Sequence, residues 1–257
     1  MSIYAYQLLK GLGFSEQRVR RVLPRLEVES LEPNQVICHK GSHQDSWIQI
    51  VSGLVNAGIP DPDGAITPIS IFGPGTWFGE VSILNRQAVV LELVCLSPVR
   101  ILKVPVPEVI EAFENEPDFS RHLARLFAWR TQQYAEMLTL MRLGNPSLRV
   151  VLGLALFAEA LQTSNSHLPT SELEDKLDIP LKQSLLASLC GVSRGVFSEC
   201  VQQLAAEGWV QLNYATLALS RLNVWRKFSS QYRHNRHNSA KPSIQEVLSM
   251  MGEAAVS

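Results

Sequence analysis

The chain has 257 residues, 46% hydrophobic and 18% charged, values ordinary for a folded globular protein and far from those of a disordered one. A formal net charge of -1 excludes a globally basic surface, so any nucleic-acid-binding field has to be local. The four cysteines, Cys38, Cys95, Cys190 and Cys200, form no CxxC pair, which speaks against a zinc or iron–sulfur site and fits reduced structural thiols.

The amino terminus has no long apolar run behind a basic start, so no signal peptide is expected. The most apolar stretch, 150–158, is bracketed by Arg149 and Glu159 and is too short to span a bilayer. A cytoplasmic location follows as the expectation. Residues 4–28 read as one or two short helices packing through Leu8, Leu9, Leu12, Val19, Val22 and Leu23. From about Leu31 the texture changes to β-prone runs broken by Gly, Pro, Asp and Asn: QVICHKG, WIQIVSG, LVNAGI, ITPISIFGPG, TWFGEVSIL, AVVLELVCL and VRILKVP. Many short strands with regular turn signals predict an antiparallel sandwich or roll, and DPDG at 61–64 predicts a hairpin turn.

After Pro107 a helix begins, breaks near Pro117, and gives way to a long helical run over 118–143. Within that run Phe119, Leu123, Leu126, Phe127, Tyr134, Leu138 and Met141 fall close to a three-four alternation. That is the spacing of a coiled-coil seam, so the helix either pairs with a copy of itself or packs on its own roll. Gly144, Asn145 and Pro146 predict a hinge and a domain boundary. A further helix through Gln162 and a polar loop, TSNSHLPT, follow.

The stretch 185–207 reads as two short helices joined at Gly191. Leu185, Leu186 and Leu189 give one inward face; Val196, Phe197, Val201 and Leu204 give a second. Gly191 can take the positive φ that ends a helix, and Ser193 is placed to cap the next one. This is helix-turn-helix grammar, open also to an ordinary helical hairpin in a core. The second helix turns Arg194, Ser198 and Gln202 outward, side chains able to donate to phosphates and base edges. Residues 208–222 predict two strands around 213–215 that form a wing, with Trp225 docking the end. The stretch 227–257 reads as a flexible basic tail with a possible short helix near 244–251. Over 149–241 ten Lys or Arg stand against seven Asp or Glu, a modest local positive excess.

This order of parts resembles the Crp/Fnr family of bacterial transcription regulators. The carriers are HKG at 39–41, IVSG at 50–53, GPGTWFGEVSIL at 73–84, MRLGNPSLRV at 141–150 and GVSRGVFSECVQQLAAEGWV at 191–210. The resemblance covers the chain to about residue 226. It implies an α+β chain with an amino-terminal antiparallel β-roll of the jelly-roll (double-stranded β-helix) type over 1–117, a long dimerisation helix over 118–143, and a winged helix-turn-helix over 144–226.

In members that bind a cyclic nucleotide, the resemblance implies that a Gly-Glu pair meets the ligand's phosphate and ribose; here these are Gly79 and Glu80. An Arg followed by Ser or Thr then holds the cyclic phosphate, and by spacing those positions fall at Val89 and Val90. The clamp is missing, and a buried phosphate without a countercharge costs several kcal/mol. Arg86 is the nearby substitute. The polar pair that touches the base falls near Tyr134 and Ala135. Glu80 is then expected to be a structural relic that caps nearby backbone, and a pocket lined by Val89, Val90, Leu91 and Tyr134 would suit an apolar ligand or none. No cysteine cluster precedes Cys38, and His39, His43 and His122 are haem-ligand candidates by residue type only. No cofactor or metal is therefore implied, and cAMP control is not expected.

In the recognition helix many members present Ser-Arg-Glu with a further Arg one turn on. Here the positions are Ser193, Arg194 and Gly195, with Glu199 at the later one. Arg194 is expected to make the main base contact, Ser193 and Ser198 to fix the backbone, and Arg221 or the tail to add phosphate contacts. Gly195 reaches no base, so the half-site differs from that of the well-known members. The expected protein is a homodimeric, sequence-specific DNA-binding regulator on a near-palindromic site, with RNA polymerase as the further partner and no catalytic constellation. The competing reading is a ligand-binding or protein-interaction module that lost DNA recognition, motivated by Gly195 and Glu199.

Overall fold

The computed structural model describes residues 2–142, 145–163, 176–213, 216–234 and 244–256. The chain divides into two compact units, Met1–Tyr134 and Ala135–Ser257.

The first unit opens with α1 (Ser2–Gly11), α2 (Glu16–Val22) and a short turn of tighter helix, Leu23–Arg25. Eight strands follow: β1 (Glu27–Leu31), β2 (Val36–Cys38), β3 (Ser46–Ser52), β4 (Val55–Pro60), β5 (Ile66–Phe72), β6 (Trp77–Phe78), β7 (Glu92–Cys95) and β8 (Val99–Pro105). A short helix, α3 (Glu80–Asn85), is inserted after β6; α4 (Val106–Asn115) and the long α5 (Pro117–Arg142) come last. The strands form two antiparallel sheets, ordered β1-β8-β3-β6 and β2-β7-β4-β5. Period-two alternation explains how one strand serves two cores. Ile48 and Ile50 join Val55, Ala57, Leu93, Cys95 and Ile101 in one cluster, whereas Trp47 of the same strand joins Leu102 and Val104 in another with Leu9, Phe14, Val19, Val109, Phe119 and Leu123. The roll and the DPDG hairpin are as expected: Asp61 Oδ1 accepts from the amides of Asp63 (3.0 Å) and Ala65 (2.9 Å) between β4 and β5.

Two readings need correction here, and one open alternative narrows. TWFGEVSIL is strand only at Trp77–Phe78 and turns into α3 at Glu80. Residues 27–28, placed with the leading helices, begin β1, whose run of Glu and Ser hides the pattern of an edge strand. Of the two readings of the apolar stripe on α5, packing on its own roll holds for Phe119 and Leu123, which are fully buried in the chain's own core with Leu126 and Phe127 packed against it. Farther along α5, Trp129, Tyr134 and Leu138 are exposed.

An ion cluster ties the leading helices to α4. Arg18 is buried and donates from Nε to Glu116 Oε1 at 2.6 Å, while the buried Glu108 accepts from Arg21 at 2.8 Å. Glu116 also accepts from the Ser15 amide (2.9 Å) and hydroxyl (2.8 Å).

The second unit holds the last turns of α5, then α6 (Pro146–Thr163), β9 (Lys176–Ile179), α7 (Gln183–Leu189), α8 (Arg194–Ala206), β10 (Val210–Leu212), β11 (Leu217–Ser220), α9 (Leu222–His234) and α10 (Ile244–Val256). The three strands form an antiparallel sheet ordered β10-β11-β9. Helix α6 packs against α8, α9 and α10. The flexible tail expected from 227 is thus corrected at its start, where α9 runs on to His234, while the short helix expected near 244–251 is present as α10. Trp225, Phe228 and Tyr232 recur at three-four spacing among polar residues, and Trp225 and Phe228 are buried. Val247, Leu248, Met251 and Ala254 do the same for α10. Pro146 is the first residue of α6, and Asn145 Oδ1 caps that helix by accepting from the Leu148 amide at 3.2 Å. Gly144 of the expected hinge, the polar loop past Thr163, the wing tip at 214–215 and residues 235–243 of the basic tail lie outside the described residues. Among the described residues no single helix is long and apolar enough to cross a membrane.

Candidate functional site

Helices α7 and α8 meet at 104°, inside the range of a DNA-binding helix-turn-helix. The joint is built from the local sequence. The Gly191 amide donates to Ser188 O and the Val192 amide to Ala187 O, both at 3.0 Å, which pairs the last carbonyls of α7 in a Schellman motif. That motif requires positive φ at Gly191, found at +62°, and a Cβ there would stand 2.7 Å from Met141 Sδ. Ser193 then takes extended geometry and its Oγ accepts from the Val196 amide at 3.3 Å, the cap read from the sequence.

Phe197, Cys200, Val201 and Leu204 bury the inner face of α8. Arg194, Gly195, Glu199 and Gln202 are exposed, and Ser198 is half-buried. Arg194 and Glu199 make no ion pair among the described residues. Beside this helix β10 and β11 pair as Val210↔Leu219 and Leu212↔Leu217, the wing that was expected. Strand β9, which pairs with β11 as Ile179↔Leu217, was missed; the alternation in Lys-Leu-Asp-Ile was its signal. Trp225 is buried and its Nε1 donates to Ser220 O at 2.9 Å. Arg221 is held at the base of the wing with its guanidinium 4.8 Å over the Trp209 ring.

The cysteines are structural in their settings: burial pushes the Cys190 thiol up to about 12 and the Cys38 thiol up to about 11, and all four are free and buried. Among the described residues no group of His, Cys, Asp and Glu could hold a metal ion. His39 and His43 are exposed, His39 lying 3.5 Å from Glu92.

The second candidate lies in the roll. Gly79 (φ +104°) turns the chain from β6 into α3 and presents Glu80, which is buried. Glu80 Oε2 accepts from Trp47 Nε1 at 3.1 Å, and Oε1 accepts from Arg130 of α5. Arg130 also donates to Trp77 O, and Trp47 and Trp77 stack with ring centroids 3.9 Å apart. Burial pulls the Arg130 guanidinium below its ordinary pKa, with Tyr134 acting in the opposite direction. Glu80 thus holds side chains, not the backbone cap expected of it. Arg130 is the residue that sequence reasoning passed over; its signal was a lone charge set among Leu126, Phe127 and Tyr134 in an apolar stripe.

The remaining residues expected in this pocket are dispersed. Val89 is half-buried against the inner core, with its amide on Ser42 O and its carbonyl accepting from Gly41, both at 2.8 Å. Val90 is 68% exposed and Tyr134 is 47% exposed. Arg86, the possible substitute clamp, is exposed at the end of α3.

Comparisons with known proteins agree with this geometry. The cyclic nucleotide-binding domain family matches residues 28–116. A CRP-like cAMP-activated global transcriptional regulator from Mycobacterium tuberculosis is 23% identical over 208 residues, covering 81% of this chain and 90% of the relative. A solved CRP/FNR-family transcriptional regulator from Thermus thermophilus superposes with a TM-score of 0.56 at 23% identity, over 79% of this chain and 98% of that one. FixK2 from Bradyrhizobium japonicum gives a TM-score of 0.62 at 17% identity, over 76% of this chain and 92% of that one. Residues 28–116 thus match the cyclic nucleotide-binding domain family, the α+β fold is of the Crp/Fnr type, and the full-length relatives named here are transcriptional regulators.

Proposed function

We propose that the chain is a homodimeric, sequence-specific DNA-binding transcription regulator that places α8 in the major groove of each half of a near-palindromic site. The observation that carries this reading is the capped 104° helix pair with Arg194 exposed on the outward face of α8 and in no ion pair among the described residues. An exposed arginine at the start of such a helix can pair with guanine O6 and N7. Trp129, Tyr134 and Leu138, exposed on α5, are the surface on which two copies pair. The cytoplasm is its location and RNA polymerase its further partner.

The relative from Mycobacterium tuberculosis is described as cAMP-activated. This chain departs from that chemistry in two ways. Val89 and Val90 supply no countercharge to a cyclic phosphate, and the Glu80 carboxylate is already engaged by Arg130 and Trp47. The regulator accordingly acts without cAMP. Exposed Gly195 and Glu199 favour one other reading, an interaction module that has lost DNA recognition, because glycine contributes no base contact and a carboxylate repels phosphate.

Recovery of bound genomic DNA by the purified protein, with and without cAMP, decides among these. An enriched palindrome independent of cAMP supports the proposal, and a motif appearing only with cAMP refutes its second half. Absence of any motif, together with a flat salt dependence, places the interaction module first, since phosphate neutralisation makes affinity fall steeply with salt.

A further inference from the structure

The outward face of α8 has a gap in it. Successive helical residues turn by about 100°, so Gly195 and Gln202 lie nearly on one line, with Arg194 and Ser198 on one side and Glu199 on the other. Phe197, Cys200, Val201 and Leu204 bury the opposite side. Gly195 is therefore central to the exposed face, in the first turn, where a helix lying in a groove presents its side chains.

Nothing in the fold asks for glycine there. Gly195 is not among the positive-φ glycines, and an added Cβ would meet no atom within 4 Å. Gly191, four positions earlier, is the contrast: its positive φ strains any side chain, and a Cβ there would also have to displace the Met141 sulfur. Glycine inside a helix is also less stable than alanine. Packing and backbone geometry explain the first glycine and leave the second to function.

We infer that Gly195 sets the specificity of α8 by leaving one base pair of each half-site unread, giving the bound motif an open column beside the position read by Arg194. The inference rests on the reading of α8 as a DNA-recognition helix. Base pairs differ in the major groove by their pattern of donors, acceptors and the thymine methyl, and a residue without a side chain cannot tell these patterns apart.

The test is selection from a random-sequence DNA pool with the full chain, with Gly195→Ala and with Gly195→Gln. The native chain and Gly195→Ala select the same motif with the same open column, and the alanine variant melts at or above the native temperature. Gly195→Gln, whose amide can pair with adenine N6 and N7, converts that column to adenine with discrimination of roughly tenfold. A native motif without an open column, an alanine variant that erases a specified column, or a glutamine variant that gains no preference overturns the inference. Failure of the native chain to select any sequence is a separate result, and it overturns the reading of α8 itself.

Discussion

The two candidate sites treat charge in opposite ways. In the roll, Glu80 is buried and both its oxygens are taken, one by the Trp47 indole and one by Arg130. On α8, Arg194 and Glu199 are exposed and have no ion partner among the described residues. A buried carboxylate answered from within its own unit needs nothing from outside, and a ligand would have to displace the groups that answer it. An exposed guanidinium at the start of a capped helix, without an ion pair among the described residues, is open to an anion from outside, as the proposed function requires. The amino-terminal ion cluster repeats the first pattern, with Arg18 spent on Glu116 and Glu108 spent on Arg21. The difference separates charges that hold the fold from charges that act beyond it.

The most direct way to break that comparison is Arg130→Ala. It leaves a buried carboxylate with the Trp47 indole as its side-chain donor. Removing one partner of a buried pair costs about 3–5 kcal/mol, read as a lower urea midpoint in tryptophan fluorescence. Replacing both residues by apolar ones of similar volume, Glu80→Leu with Arg130→Met, costs much less than the single change. An unchanged midpoint in Arg130→Ala would show that the pair does not hold the turn at Gly79.

Arg194→Ala sharpens the other side. With no ion pair to lose among the described residues, its folding stability stays within about 0.5 kcal/mol of the native value. DNA affinity falls by about 1–3 kcal/mol and one motif position relaxes. Equal binding to all sequences before and after the change would remove Arg194 from the interface. Ser193→Ala lies between the two: loss of the cap costs about 1 kcal/mol of stability, and affinity falls with it because α8 loses its fixed start.

How much of this was legible depended on whether the signal was local. Gly191 and Ser193 announce their turn and cap because both are backbone effects within a few residues, and the geometry follows the sequence closely. The hairpin at 61–64 is legible for the same reason. Arg130 was not, because its meaning depends on Glu80, fifty positions away in the sequence, and no local pattern records that meeting. Phe119 and Leu123 carry a helical periodicity that fits a seam between copies as well as it fits the chain's own core, and tertiary packing chose the core. Helix α9 was hidden by polar composition, although its few apolar residues sit at three-four spacing, whereas the more apolar α10 was legible over 244–251. Gly195 was legible as an unusual residue in the second helix of the pair, but its ordinary φ and the open space around it are what distinguish it from Gly191.

The smallest effect expected is an acid one, and it belongs to the spent charges alone. Burial pushes the Glu116 carboxyl upward, but the Arg18 guanidinium and the two Ser15 donors outweigh it and hold the pKa below the usual glutamate range. Hydrogen bonds from Arg21 and Arg18 lower Glu111 in the same direction. A carboxylate lowered in the folded state binds fewer protons there than in the unfolded chain, so stability rises with pH across the interval between the two values. Its contribution is complete above the unfolded value, about 4.3, and is lost as pH falls through the folded one. The melting temperature should therefore hold between neutrality and about pH 5 and then decline, less steeply in high salt because Glu111 is exposed. Arg18→Met should flatten that decline, whereas Arg194→Ala should leave its slope alone. A decline that Arg18→Met does not change would mean that acid acts on carboxylates elsewhere, and the amino-terminal cluster would lose its place among the charges that hold the fold.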